Sequence, residues 1–404
     1  MTGRWRRAVA AACSACSLTL VIGLLVPVSL AAPPSVRAQA RTVVANVGAR
    51  VVTGRTFYVA PNGRDSNLGR SPARPWRTVR RVDRAALRPG DEVLFKGSAT
   101  FVDNPLMPGL GYKVSGTNLA AITFGSYGRG RARLTRGVWL GTDRAHPDGP
   151  SHLTFEDLSL GPVEGFQGTG DDITLRDLQI SHLDGPESRQ ETGIASEGSD
   201  WVIENNSIYD TGDSGMLLGF RAGSPGDPPG GDDYLISGNT VSHTGLDKRI
   251  GYARHAIYLK VADATVTGNR LTYFHDDGVS MRYRNAVVAD NYIAHGGIGL
   301  AWFQYDPVGG TTQLVGNTIA YTDQAGIFVC GVKEGCLQPL ESFVVQDNVL
   351  LRTSGMALNL QPTHGTYQIA SNLGLGATVT VQPGSDPSAT VAIPSPVSTP
   401  VGIG

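Results

Sequence analysis

The sequence predicts an all-β fold: a single-stranded right-handed parallel β-helix with an N-terminal strand-helix cap. Three observations carry that expectation. Short lines of alternating apolar and polar residues recur from about Thr123: LTFEDLSL, ITLRDLQI, VIENNSIYD, LISGNTVSH, TVTGNRLTY, VVADNYIAH, LVGNTIAYT, VVQDNVLLR and QIASNLGL. From the third line on, an asparagine returns at the same bend: Asn206, Asn239, Asn269, Asn291, Asn317, Asn348 and Asn372, at spacings of 33, 30, 22, 26, 31 and 24 residues. Finally, 52 glycines in 404 residues and a charged fraction of only 17% suit many short strands joined by tight turns. Period-two alternation is strand-like, and a repeat of this length marks a solenoid whose coils stack to share a core. The shortest spacing, 22 residues, is the minimal coil, and the excess elsewhere is loop insertion.

The elements follow in order. Residues 1–40 read as a signal peptide: Arg4, Arg6 and Arg7 begin it, an apolar run continues to about Leu30, and Ala38-Gln39-Ala40 is a small-x-small cleavage site. A retained anchor helix is the alternative, because the apolar run is long for a signal. Residues 41–55 read as a linker. Residues 56–110 read as the cap and first coil, with a strand at Phe57–Ala60, a helix at Thr78–Leu87 opened by a Thr78 cap, and a strand at Asp91–Phe95 after a Pro-Gly turn. The open end of a solenoid has to be covered, and this helix is the expected plug. The β-helix proper spans 111–377, and 378–404 is a Pro/Ser/Thr-rich flexible tail.

Cleavage after Ala40 removes four arginines and no acid, leaving 30 basic against 35 acidic residues. That balance argues against a nucleic-acid binder and confines any anion site to a local patch. Without its signal the chain is expected to be a secreted monomer with no membrane segment. In the oxidising setting that export implies, Cys330 and Cys336 of CGVKEGC favour a disulfide over free thiols. The asparagines have a structural reading: each amide can donate to the side-chain carbonyl of the next asparagine along the stack.

A second run follows each bend and opens with a small residue: GIAS at 193, GMLL at 215, AIYL at 256, GVSM at 278, GIGL at 297, GIFV at 326 and GMAL at 355. The stretch from Arg254 to Tyr283 holds most of the residues able to do chemistry. If AIYLK and GVSMR stack in parallel, Ile257, Leu259, Val279 and Met281 face inward, while Tyr258, Lys260, Ser280 and Arg282 face outward. Lys260 and Arg282 then stand about one strand spacing apart, roughly 4.8 Å at the backbone. The cation column reads Gly219, Lys260, Arg282, Ala301, Cys330, so Gly299 and Ala301 are expected to floor a shallow groove edged by Trp302, Phe303 and Tyr305, with Tyr258 and Phe328 beside it. Cations, aromatic rings and a groove along the coils suit an extended acidic sugar chain. The column before the small residues reads Thr192, Ser214, His255, Asp277, Gly296, and the one before that Glu191, Asp213, Arg254, Asp276, His295. His275 joins them at the coil edge.

The repeat region resembles the pectate-lyase-type β-helix superfamily. IYLKV and VSMRY, with Lys260 and Arg282 separated by 22 residues, resemble the alginate lyase and chondroitinase B family of polysaccharide lyases. The resemblance implies that Lys260 abstracts the proton α to a uronate carboxylate and that Arg282 stabilises the enolate-like intermediate or helps protonate the leaving oxygen. It also implies calcium, held in that family by an asparagine and two glutamates upstream of the lysine. Here the nearby residues are Ala253, Arg254 and His255, with Asp213 the remaining candidate ligand and Arg254 the candidate replacement for the metal. A competing reading takes Asp276 and Asp277 as the acid and base of a glycoside hydrolase. A uronate epimerase and a non-catalytic glycan-binding protein are further readings. Structurally, Asp276 could instead pair with Arg254 across adjacent coils. The insertion with Asp227, Asp232 and Asp233 reads as a solvated loop, with calcium as its alternative.

Overall fold

The computed structural model describes residues 54–381 except 143, 186–190, 248–253, 307, 331–340, 362–364 and 376–377. The expected signal peptide, nearly all of the linker, most of the tail, and Ala253 and Cys336 lie outside the described residues. Cys330 is disulfide-bonded.

The strands form two parallel sheets. A 12-stranded sheet runs from Thr56–Val59 to Tyr367–Ala370, one strand per coil, and a 19-stranded sheet contains the rest. The larger sheet holds two rows. Ser207–Thr211, Thr240–Thr244 and Arg270–Phe274 belong to the first, and Met216–Leu218, Ile257–Leu259 and Asp277–Met281 to the second. The long strands Tyr292–Trp302 and Thr318–Val329 span both rows. The chain is thus a parallel β-helix with three strand faces per coil. Near its start a helix at Val79–Asp83 buries Val79 and Val82, and the Thr78 hydroxyl caps it by accepting from the Arg81 N–H at 3.1 Å. It is shorter than Thr78–Leu87. Pro89 disfavours helical geometry at the residue before it, and Arg84 already closes the last turn by donating to the Val82 carbonyl.

The corner before each second-sheet strand explains the asparagines. The residue ahead of each ladder position is left-handed, with φ of 54° at Asn205, 64° at Gly238 and Gly268, 55° at Asp290, 68° at Gly316 and 55° at Asp347. Only glycine and short polar residues tolerate that geometry readily. The turn aims the next side chain inward, and every rung from Asn206 to Asn372 is made. Asn206 Nδ2 donates to Asn239 Oδ1 at 3.0 Å, and Asn239, Asn269, Asn291, Asn317 and Asn348 repeat the bond at 2.9–3.0 Å. The same amides donate to backbone carbonyls of the preceding coil, such as Ile236 at 3.0 Å and Val266 at 2.9 Å. Polar groups trapped at a buried turn are therefore paired, which is what their burial demands.

Inside, the alternating residues form one continuous core in which Leu, Ile and Val dominate and aromatic rings fill the wider gaps. Phe124 stacks on Phe155 at 4.9 Å, and Trp302 meets Phe343 edge-on at 5.1 Å. Each fully buried aliphatic or aromatic side chain contributes about 1.5–3 kcal/mol. Between the two rows the chain passes close to its neighbour. A Cβ on Gly278 would lie 2.6 Å from the Gly299 carbonyl oxygen, and one on Gly299 would lie 2.6 Å from that of Gly326. The true small-residue column therefore contains Gly278, Gly299 and Gly326. Asp277 pairs with Ile298 and Val279 with Leu300, so Gly299, rather than Gly297, falls in that column.

Candidate active site

The expected register of the central coils is found. Ile257 pairs with Val279, Tyr258 with Ser280 and Leu259 with Met281, and the Arg282 N–H continues the ladder to the Leu259 carbonyl at 3.0 Å. Lys260 and Arg282 are therefore outward neighbours on adjacent coils. Their surroundings differ from the expected open groove, for Lys260 is only 7% exposed and Arg282 6%. The cover is the insertion after Gly219. Ala222 packs with Ala262 and Tyr283 in a small second cluster, joined by Tyr305. Gly226 donates to the Tyr305 carbonyl at 2.8 Å, Gly230 donates to the Lys260 carbonyl at 3.0 Å, and the Tyr283 hydroxyl donates to the Asp227 carbonyl at 3.1 Å. The insertion is thus a packed loop across the cations, and the Asp227 carboxylate closes its turn by accepting from Gly223 and Ser224.

Around the cations the side chains are aromatic and acidic. The Arg282 guanidinium lies 4.7 Å from the Tyr258 ring centre, 4.4 Å from that of Phe303 and 5.4 Å from that of Tyr305. The Lys260 ammonium lies 5.0 Å from the Tyr258 ring. Such contacts strengthen when desolvated. Burial, and then the field of Arg282, pulls the Lys260 amine below the usual lysine range, against the opposing fields of Glu197 and Asp227. Burial likewise pushes the Tyr258 phenol up to about 12, so it keeps its proton at neutral pH. Burial also raises the Glu197 carboxyl, whose Oε2 accepts from the Arg221 N–H at 2.9 Å. Glu197 is the residue that sequence reasoning missed. Ser196 pairs with Leu218 and Leu218 with Leu259, so the next position in each strand runs Glu197, Gly219, Lys260.

Behind Arg282 lies a buried polar chain. Arg282 Nη1 donates to Ser280 Oγ at 2.8 Å, and Ser280 Oγ donates to Asp277 Oδ2 at 2.6 Å. The same Asp277 oxygen lies 3.1 Å from His255 Nδ1, and His255 Nε2 is buried without a partner. His255 and Asp277 therefore belong to the site as the inner support of Arg282.

Arg254, His275 and Asp276 form a separate group at the coil edge. Arg254 Nη2 donates to His275 Nε2 at 2.6 Å, which assigns the proton to Nδ1, and Nδ1 then donates to Asp276 Oδ1 at 2.8 Å. The Arg254 backbone N–H donates to Asp276 Oδ2 at 2.6 Å. Asp276 and Arg254 do meet across adjacent coils, but through the arginine's backbone. Asp276, at the bend, and Asp277, at the start of the strand, therefore have different partners.

Three expectations are corrected. Trp302 pairs with Met281 and lies in the core at 1% exposure, so it does not edge a groove. Ala301 stands opposite Ser280 and Phe328, and the next position beside Arg282 falls to Phe303, whose ring contacts the guanidinium. His295 is not beside Asp276. There a Cβ on Gly297 would lie 2.6 Å from the Asp276 carbonyl oxygen, while the His295 ring stacks between Tyr273 at 4.7 Å and Tyr321 at 4.9 Å. The shifts at Ala301 and His295 follow from the pairing of Asp277 with Ile298 and Val279 with Leu300, which sets this coil two residues on from an alignment of Gly297 with Gly278.

Asp213 Oδ2 accepts from Thr192 Oγ1 at 3.2 Å and Oδ1 from Ser214 Oγ at 3.3 Å. No group of three or more His, Cys, Asp or Glu side chains able to hold a metal occurs among the described residues. One hydroxyl-bonded carboxylate is too small a donor set for calcium, which takes six to eight oxygens.

No protein-family model matches the chain, and no curated protein matches it. Among solved structures it is similar to a GH136 lacto-N-biosidase from Eubacterium ramulus, at 15% identity over 79% of this chain and 68% of that one, with a TM-score of 0.48. It is similar to pectate lyase Pel9A at 16% identity over 85% and 82% of the two chains, with a TM-score of 0.48. Similarity to the A-module of the Azotobacter vinelandii mannuronan C-5 epimerase AlgE4 stands at 12% identity over 75% and 91%, again with a TM-score of 0.48.

Proposed function

We propose that the protein is secreted, binds an acidic, uronate-containing polysaccharide, and cleaves it by β-elimination at the Lys260–Arg282 site. The observation that carries this reading is a lysine whose amine is pulled below its usual range beside a fixed arginine. A base working near neutral pH needs that depression. Lys260, in its unprotonated form, takes the proton α to the carboxylate, Arg282 pairs with the carboxylate as negative charge develops, and the carbon–carbon double bond forms as the glycosidic C–O bond breaks. The leaving oxygen takes a proton from the Tyr258 phenol, which holds one at neutral pH. Preorganised positive charge is the larger requirement, since an uncompensated dianion is too costly. The chain from Asp277 through Ser280 holds the guanidinium in place to meet it. No step is assigned to a metal.

The test is ultraviolet absorbance of the purified protein with alginate, pectate, chondroitin, dermatan and glucuronan. An unsaturated product should accumulate with one substrate class. Lys260→Ala should lower the rate by about 10²–10⁴, the usual worth of a positioned general base. Flat traces across the panel, or full turnover by the variant, would remove the assignment.

A further inference from the structure

A second polar cluster lies well before the Lys260 coils in the chain. Thr100, Arg133, Ser159 and Gln179 pair in order across four adjacent parallel strands at the start of the larger sheet. Their neighbours Phe101, Leu134, Leu160 and Ile180 are core residues, so these four face outward. A short serine between a long arginine and a long glutamine leaves a notch, and Ser98 and Arg131 complete a cleft of about 300 Å³. Ser159 is only 5% exposed, and its hydroxyl has no hydrogen-bond partner. Arg133 is exposed and lines the cleft with no side-chain ion pair or hydrogen bond among the described residues. Arg131 is held at the rim, with Nε donating to the Asp177 carbonyl at 3.1 Å and lying 3.2 Å from an Asp157 carboxylate oxygen. Gln179 Nε2 is fixed on the Tyr209 hydroxyl at 2.6 Å.

We propose that this cleft is an oxyanion site taking one carboxylate or sulfate group of an acidic saccharide, with Arg133 supplying the charge and Ser159 a hydroxyl donor from the floor. A free guanidinium matches the paired oxygens of such a group. A buried hydroxyl without an acceptor is unfavourable until one arrives. The saccharide assignment rests on the acidic-polysaccharide reading above, whereas the oxyanion site itself stands or falls separately from Lys260.

Isothermal titration of the full protein at low ionic strength, with glucuronate, glucosamine 6-sulfate and inorganic phosphate as separate probes, tests it. Saturable one-to-one binding of at least one saccharide probe is expected, weakened tenfold or more in Arg133→Gln and severalfold in Ser159→Ala. Arg129→Gln removes the same charge from an exposed position nearby and should leave binding unchanged. Equal loss in Arg129→Gln and Arg133→Gln would reduce the effect to diffuse charge and overturn the site. So would silence with both saccharide probes, and tighter binding of phosphate than of either would overturn the saccharide assignment.

Discussion

Lys260 is the residue whose chemistry is most exposed to test, because its depressed pKa must also appear in the stability of the fold. With the folded-state value below the ordinary 10.5, the unfolded chain binds the proton more tightly between the two values, so this group makes stability rise with pH across that window. Tyr258 acts in the opposite sense. Its value is raised from 10.0 to about 12, so its contribution is complete below pH 10 and fades only above it. Between neutral pH and pH 10 the lysine is thus seen without the tyrosine. In Lys260→Met the rise in stability over that range should flatten relative to the parent in urea unfolding, and parallel curves would show that the amine is not depressed. Much of this site was legible in the sequence. Period-two alternation alone places Lys260 beside Arg282, and Glu197 stands in GIASE where lysine stands in AIYLK, in a column that reading from Gly219 cuts short. What was not legible is burial, since nothing local in the sequence shows that a loop opened by Gly219 returns to cover the cations.

At the scale of the strand and its corner, the asparagine ladder carries the strongest expectation. Asn269 donates to Asn291 Oδ1 and to the Ile236 carbonyl, and its own Oδ1 accepts from Asn239. Replacing it with alanine breaks the ladder mid-stack and leaves buried groups on both neighbours unpaired. Each buried polar group left so costs about 1–3 kcal/mol. Asn269→Ala should therefore destabilise by at least that range in chemical denaturation, and more than Asn372→Ala at the end of the series. An equal, negligible loss at both positions would mean that water replaces the ladder without penalty. The recurrence of asparagine at the bend made these corners readable, and the structure adds that the residue before it is left-handed. The coil from Tyr292 to Trp302 was read in the wrong register because a displacement of two residues preserves alternation. Aligning Gly278 with Gly297 or with Gly299 keeps the same faces and changes which side chain meets Arg282.

Across the whole molecule, stacked coils supply a rigid face, and the distinguishing feature is what one insertion lays over it. The segment after Gly219 is tied down at the Tyr305 and Lys260 carbonyls and at its own Asp227 and Pro228 carbonyls through the Tyr283 hydroxyl. Apart from Gly230, which joins coils by donating to Lys260 and accepting from Gly198, these ties lie outside the strand pairings, so the loop can loosen while the core stays intact. Tyr283→Phe removes only the hydroxyl from a buried ring that still packs on Ala222 and Ala262. The loss of a hydrogen bond worth about 1 kcal/mol corresponds to a roughly fivefold shift in an opening equilibrium. Amide exchange at Gly226 should accelerate by about that factor, with no change at Gly230 or at the ladder asparagines. If the loop gates substrate access to Lys260, turnover of the lyase substrate should shift in the same variant while the pH dependence set by the lysine does not. Faster exchange throughout the coils would instead show that loop and core open as one unit, so that reaching Lys260 would require unfolding the face that positions it.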